Sequence, residues 1–261
     1  MAPAADYRTS FTAVRDVKIR LLEGGEGEPL VFLHGAGRSG VWFPFLAELA
    51  KSFRVLAPEH PGFGQSDRPA WLDDMTDMVF HYRDLLDHLN LERVHLVGTS
   101  FGGWVAAEFA TMYPERVARL VLSGAAGLRV KGAPIADLFL MPPEALSSYL
   151  FADPAKAAAM NAQPVPPDVE RELFRGRVTL AHLGWNPLLS NPRLQRRLYR
   201  IACPTLVLWG ADDRLIPLAH GQAYASEIAS ARLVIVEKCG HAIQLDRPEV
   251  FVDEVTGFLK G

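Results

Sequence analysis

A serine set between glycines, Gly98-Thr-Ser100-Phe-Gly102, is the feature of this chain best suited to covalent chemistry. It follows an apolar run, Val94-His-Leu-Val97, and precedes a helical pattern from Trp104 onward. A serine on a tight strand-to-helix turn needs small neighbours, because its strained backbone brings flanking residues against the next turn. Such a turn lifts the hydroxyl above the sheet and sets it at a helix N-terminus, where free N–H groups face a reacting carbonyl. A hydroxyl attacks only when a base takes its proton. Of the eight histidines, His241 alone stands in a loop, Cys239-Gly-His241, shortly after a late apolar run, Leu233-Val-Ile-Val236. The acid that orients the base should stand at another strand end. Gly210-Ala-Asp-Asp213 after Thr205–Trp209 offers Asp212 or Asp213.

A second loop completes the chemistry. Leu33-His34-Gly35-Ala36-Gly37 follows the apolar run Leu30–Leu33, and its glycines allow a backbone N–H to approach a developing oxyanion. The second donor expected is the N–H of Phe101, next to the nucleophile. Gly35-Ala-Gly37 lacks the Lys-Ser/Thr of a phosphate-binding loop and the third glycine of a dinucleotide fingerprint. His34 reads as a brace for its loop.

These loops need a sheet whose strand ends converge. Leu30–Leu33, Val55–Ala57, Val94–Val97, Leu120–Leu122, Thr205–Trp209 and Leu233–Val236 are near-continuous apolar runs, as strands covered on both faces require. Val17–Leu21 alternates and reads as a half-exposed strand at an antiparallel edge. Helical patterns run from Met75 to Leu89, from Trp104 to Tyr113 and from about Asp246 through Phe258. Alternating strands and helices indicate an α/β sheet with right-handed crossovers. The rhythm breaks over residues 125–200, which hold nine of the 19 prolines and no buried-strand run. Short helices over Pro154–Met160 and Asp168–Leu183 are expected there, within a helical insertion.

Composition narrows the partners. With 49% hydrophobic and 22% charged residues the chain is an ordinary globular one, not a disordered one. A net charge of −3 lacks the basic field that nucleic acid or an anionic membrane requires. No apolar run reaches membrane-helix length, and the start has no secretory pattern. Cys203 and Cys239 are too few for a disulfide framework, so a reducing cytoplasm is the expected home. A monomer or homodimer is expected.

The chain resembles the α/β-hydrolase fold family over nearly its whole length. The resemblance rests on His34-Gly35, His60-Pro-Gly-Phe-Gly-Gln-Ser66, Gly98–Gly103, Trp209-Gly-Ala-Asp-Asp213 through Pro217, and Gly240-His241. It implies a mostly parallel eight-stranded sheet flanked by helices, with a helical cap after the sixth strand. The divisions are then a core over 1–124 and 201–261 and a cap over 125–200. It also implies a Ser100–Asp213–His241 triad, Asp213 being chosen over Asp212 because the family's acid usually stands three residues after the strand-end glycine.

Within the family the chain is similar to small-molecule carboxylesterases and to carbon–carbon bond hydrolases of ring meta-cleavage products. Trp209-Gly-x-Asp-Asp-Arg and Lys238-Cys-Gly-His241 carry the second likeness. Those carbon–carbon hydrolases typically have Asn before the nucleophile and Trp after the base, where this chain has Thr99 and Ala242. The expected activity is therefore hydrolysis of a small carboxylic ester through an acyl-enzyme, with the oxyanion held by the N–H groups of Ala36 and Phe101. Carbon–carbon hydrolysis and a catalytically idle ligand-binding scaffold are the alternatives. No metal or organic cofactor is called for. Substrate contacts are expected from Phe139, Leu140 and Trp185, within a wider apolar set of Leu138, Met141, Phe151 and Leu183. Arg171, Arg175 and Arg177 are read as a solvated face that could otherwise bind a substrate carboxylate.

Overall fold

The computed structural model describes residues 6–37 and 39–261. Eight strands form one sheet: β1 (Tyr7–Val14), β2 (Val17–Gly24), β3 (Pro29–Leu33), β4 (Arg54–Pro58), β5 (Val94–Thr99), β6 (Val117–Ser123), β7 (Thr205–Gly210) and β8 (Ala231–Val236). Their order is β1-β2-β4-β3-β5-β6-β7-β8. β2 runs antiparallel to both β1 and β4, and every other pair is parallel. Every residue of β5 and β7 is buried, which is why these strands read as unbroken apolar runs.

Helices cover both faces. α1 (Pro44–Leu49) packs on one side with α8 (Ile243–Asp246) and α9 (Pro248–Lys260), through Phe45, Leu49, Ile243, Phe251 and Val255. α2 (Met75–His88), α3 (Phe101–Met112) and α7 (Ala219–Glu227) cover the other, through Met78, Leu85, Val105, Phe109 and Tyr224. Between β6 and β7 lie α4 (Pro143–Leu150), α5 (Pro154–Asn161), α6 (Pro167–Gly184) and a 3₁₀ turn, Gln195–Arg200. The sixth strand is thus followed by a helical segment. Leu180, Leu189, Leu194 and Leu198 join it to the core on the α3 side.

Two strand expectations change. β2 is an interior strand with Ile19, Leu21 and Leu22 buried, because β1, which the sequence pattern did not reveal, pairs outside it as a two-residue hairpin. β8 is not covered on both faces. It is the far edge strand, and its Ile235 is 41% exposed. α3 also starts earlier than its pattern suggests, at Phe101 rather than Trp104. Gly102 and Gly103 belong to its first turn because a Cβ at 102 would lie 2.2 Å from the Leu33 carbonyl oxygen. The glycine pair ahead of that pattern is here the condition for close helix–strand packing.

Candidate active site

Ser100 occupies the turn between β5 and α3 with φ 54° and ψ −117°, a region that costs a non-glycine residue about 1–3 kcal/mol. The surrounding bonds hold it there. Its N–H donates to Ser123 O (3.0 Å), and its carbonyl accepts from Trp104 N (3.1 Å) and Ala126 N (3.0 Å). Bulk is excluded on both sides: a Cβ at Gly98 would lie 2.4 Å from Gly102 O, and one at Gly35 would lie 3.2 Å from Ser100 Cβ. The loop after β3 therefore rests directly on the serine. Ser100 itself stays half-buried and open to approach.

The acid and base meet as a pair. His241 Nδ1–H donates to Asp213 Oδ2 at 2.8 Å, and both residues are buried. The other carboxylate oxygen, Oδ1, accepts the N–H groups of Leu215 (3.0 Å) and Ile216 (2.8 Å). Three donors thus fix one carboxylate, and with Nδ1 carrying the hydrogen it donates, Nε2 is the imidazole nitrogen able to take a proton. Asp212 is exposed and contributes its backbone N–H to Cys239 O (2.9 Å). Gly124, at the end of β6, lets the His241 ring pass: a Cβ there would stand 3.2 Å from its Nδ1 and Cε1. Gly210 does the same for the two loops, since its Cβ would lie 2.2 Å from Gly240 O.

Of the residues expected to donate to an oxyanion, Phe101 follows the serine at the first position of α3, and Ala36 comes next in the β3 loop after Gly35, which packs against Ser100. Helix-start N–H groups have no intrahelical acceptor, so that of Phe101 is available to a ligand.

The structure brings His241 and Asp213 into contact and treats the residues of the helical segment differently. Phe139 and Trp185 pack tilted with 5.2 Å between centroids, yet Trp185 is 59% exposed, and Leu140 is 78% exposed. Leu138, Met141 and Leu183 are half-buried and Phe151 is buried. Arg175 and Arg177 are not simply a solvated face. Arg175 donates to Gly64 O (2.6 Å) and Ser66 O (3.0 Å), and Arg177 to Leu138 O (3.2 Å), Phe139 O (3.1 Å) and Met141 O (3.2 Å). These guanidinium groups tie chain segments together.

Two further side chains tie the loops of Asp213 and His241 to the helical segment. Asp246, 1% exposed, accepts at Oδ2 from Gly240 N (2.8 Å), beside the base, and from Ala152 N (2.9 Å), just beyond α4. Arg214, next to the acid, donates to Ser148 O and to Phe151 O (3.2 Å). Ala242 N adds a bond to Leu150 O (2.9 Å). Asp246 carried only a helix-start signal, in Asp246-Arg-Pro248, so nothing local marked its second use. Among the described residues, no cluster of His, Cys, Asp and Glu could hold a metal, and no helix is long and apolar enough to cross a membrane.

Comparison with known proteins agrees with the fold. The model of the alpha/beta hydrolase family matches residues 30–254. The 2-hydroxy-6-oxo-6-phenylhexa-2,4-dienoate hydrolase of Comamonas testosteroni is 32% identical, across 94% of this chain and 92% of its own. The 2-hydroxymuconate semialdehyde hydrolase of Pseudomonas sp. (strain CF600) is 33% identical, across 93% and 90%. Among solved structures, a meta-cleavage product hydrolase from Pseudomonas fluorescens IP01 superposes with a TM-score of 0.79 at 27% identity, covering 97% of each chain.

Proposed function

The chain belongs to the alpha/beta hydrolase family, and we propose that within it this protein is a serine-dependent carbon–carbon bond hydrolase acting on dienol products of aromatic ring meta-cleavage. The catalytic groups are Ser100, His241 and Asp213, with the N–H groups of Ala36 and Phe101 as oxyanion donors. The observation that carries the reading is the buried His241–Asp213 pair on the loops beyond β7 and β8 of a sheet whose strained β5–α3 turn presents Ser100. The substrate class follows from the two relatives of 32% and 33% identity, both named for hydrolysis of such compounds.

The substrate's dienol first tautomerises: its 2-hydroxyl proton leaves to solvent and a proton from solvent adds to the carbon beside the distal carbonyl, giving the keto form. Ser100 Oγ then attacks that carbonyl as His241 Nε2 accepts its proton. The resulting imidazolium is stabilised by Asp213, and the oxyanion by the two backbone donors. When the oxyanion collapses, the carbon–carbon bond breaks and its electron pair spreads into the unsaturated keto acid as a dienolate. Proton return from His241 completes that product. Water, deprotonated by His241, then releases the acyl group from Ser100 as a carboxylic acid.

This order of preference reverses the ester expectation, which rested on Thr99 and Ala242. Ester hydrolysis stays as a second reading on a specific observation: Arg175 and Arg177 are engaged with main-chain carbonyls rather than free for a substrate carboxylate. Both chemistries use one triad, so Ser100→Ala should lower turnover by on the order of 10⁵-fold or more with either substrate. A folded Ser100→Ala variant with wild-type turnover would remove the triad assignment. With the wild type, kcat/KM for a 2-hydroxy-6-oxohexa-2,4-dienoate should exceed that for p-nitrophenyl butyrate at least tenfold, about 1.4 kcal/mol. The reverse ranking would make this an esterase.

A further inference from the structure

The β3 loop carries a histidine that takes no part in the steps above, and its hydrogen bonds determine its protonation. His34 Nδ1 lies 2.7 Å from Gly35 O, and a carbonyl only accepts, so Nδ1 bears the hydrogen. Nε2 lies 3.0 Å from the backbone N–H of His60, which only donates, so Nε2 is bare. His60 is matched in the opposite sense. Its Nε2 donates to His34 O at 2.8 Å, while its Nδ1 accepts from the Tyr82 hydroxyl. Four hydrogen bonds thus hold two neutral rings, 3.9 Å apart, in one tautomer each. Loss of water contact depresses both pKa values, that of fully buried His60 the further, which keeps the arrangement neutral.

The acceptor of the His34 proton is the carbonyl of the Gly35–Ala36 peptide. In a trans peptide the C=O and N–H point in opposite directions. The bond from His34 therefore fixes the rotation of the same plane that carries the Ala36 N–H. A hydrogen bond accepted by an amide oxygen also polarises the amide and strengthens its N–H as a donor. The nucleophile lies against this peptide, a Cβ at Gly35 standing 3.8 Å from Ser100 Oγ. The partner ring reaches the other donor's residue: His60 packs edge-on against Phe101 at 5.3 Å, with Phe63 completing the cluster. We infer that His34, locked as the neutral Nδ1–H tautomer by His60 and Tyr82, is a positioning residue that aims and polarises the Ala36 N–H of the oxyanion hole. The inference deepens the function proposed above and rests on its assignment of Ala36 as a donor.

The two ring nitrogens can be tested separately. In His34→Asn the amide nitrogen sits near the Nδ1 position and keeps the donor to Gly35 O. In His34→Gln the amide sits near Nε2, keeping a partner for His60 N–H and losing that donor. The first measurement is the rate at which a fluorophosphonate probe labels Ser100, and the second is kcat and KM for the preferred substrate. Losing an oxyanion donor outright costs ~10²–10³-fold, so misdirecting one should lower kcat and labelling in His34→Gln about 10–10²-fold. KM should stay within about threefold, because the oxyanion exists only beyond the ground state. His34→Asn should lose more in Tm, leaving the His60 N–H unpaired, yet keep kcat nearer the wild-type value. Activity that instead follows Tm across both variants would overturn the inference. Wild-type protein that is not labelled would fail the triad itself, whereas equal labelling of wild type and His34→Gln fails only the role of His34. Should neither variant fold, imidazole NMR of the wild type decides the matter. The His34 Nδ1–H resonance should shift when Ser100 is phosphonylated, and an unmoved resonance would count against the coupling.

Discussion

The turn that carries Ser100 and the helical segment between β6 and β7 are built by different means. Around Ser100 the chain is held by its own backbone: three main-chain hydrogen bonds to residue 100, and glycines where any Cβ would collide. The helical segment is held by side chains that reach across long stretches of sequence. Arg175 bonds to Gly64 and Ser66, Thr179 Oγ1 to Gly62 O at 2.9 Å, and Asp246 to Ala152. Its outer surface keeps apolar groups in solvent, Phe174 being 68% and Leu140 78% exposed. The contrast separates chemistry from fitting. The turn at Ser100 is placed by backbone, whereas the helical segment is attached by a few long-range side chains together with main-chain bonds such as Ala242 N to Leu150 O.

The base and acid stand where these two regimes meet, and they give the sharpest way to break the comparison. Asp213→Asn should lower kcat by ~10⁴-fold, because an amide favours the wrong imidazole tautomer and cannot stabilise the imidazolium. Exposed Asp212→Asn should change it less than about twofold. Steady-state kinetics on the two variants decides the point, and a severe loss at 212 alone would move the acid by one residue.

Asp246→Ala tests whether the helical segment helps to hold the base. Its removal leaves the Gly240 and Ala152 N–H groups without their acceptor, at about 1–3 kcal/mol for each buried donor left unpaired. Tm should therefore fall, and kcat should drop about tenfold as the His241 loop loosens. Leu140→Ala is the matched control within the segment, with stability within about 0.5 kcal/mol of wild type. If Asp246→Ala kept full kcat despite a lowered Tm, the base would be positioned by the core alone.

A smaller effect concerns the core side. His81 on α2 is 3% exposed, its Nε2 has no partner among the described residues, and burial lowers its pKa to about 4. The unfolded chain takes up this proton from about pH 6.5 downward, while the folded chain does not until about pH 4. Its contribution is thus complete above pH 6.5, declines between 6.5 and 4, and changes no further below that, a loss of at most about 3 kcal/mol. Urea denaturation in that window should show a shallower pH slope for His81→Gln than for wild type. An unchanged slope would assign the acid sensitivity to other groups.

Much of this was legible in the amino-acid order. Apolar runs covered on both faces mark β3 to β7, because a strand between two helix layers has no solvent side to alternate toward. Ser100, His241 and the loop at Gly35 are marked by local rules, since a strained turn and a close backbone approach both demand glycine. The edges were less legible. β1 is exposed along most of its length, with no apolar run to betray it, and half-open β8 carries the same apolar residues as a buried strand. For the acid, adjacency in sequence leaves Asp212 and Asp213 equivalent, and their difference in burial exists only once β7 ends against the His241 loop. Asp246 and the tautomers of His34 and His60 belong wholly to the tertiary structure. Each depends on which donor or acceptor arrives from a distant segment, 94 residues away for Ala152 and Asp246 and 26 for His34 and His60. Local chemistry along the chain selects the candidate reacting groups, whereas their orientation is decided by partners that only folding brings within hydrogen-bond distance.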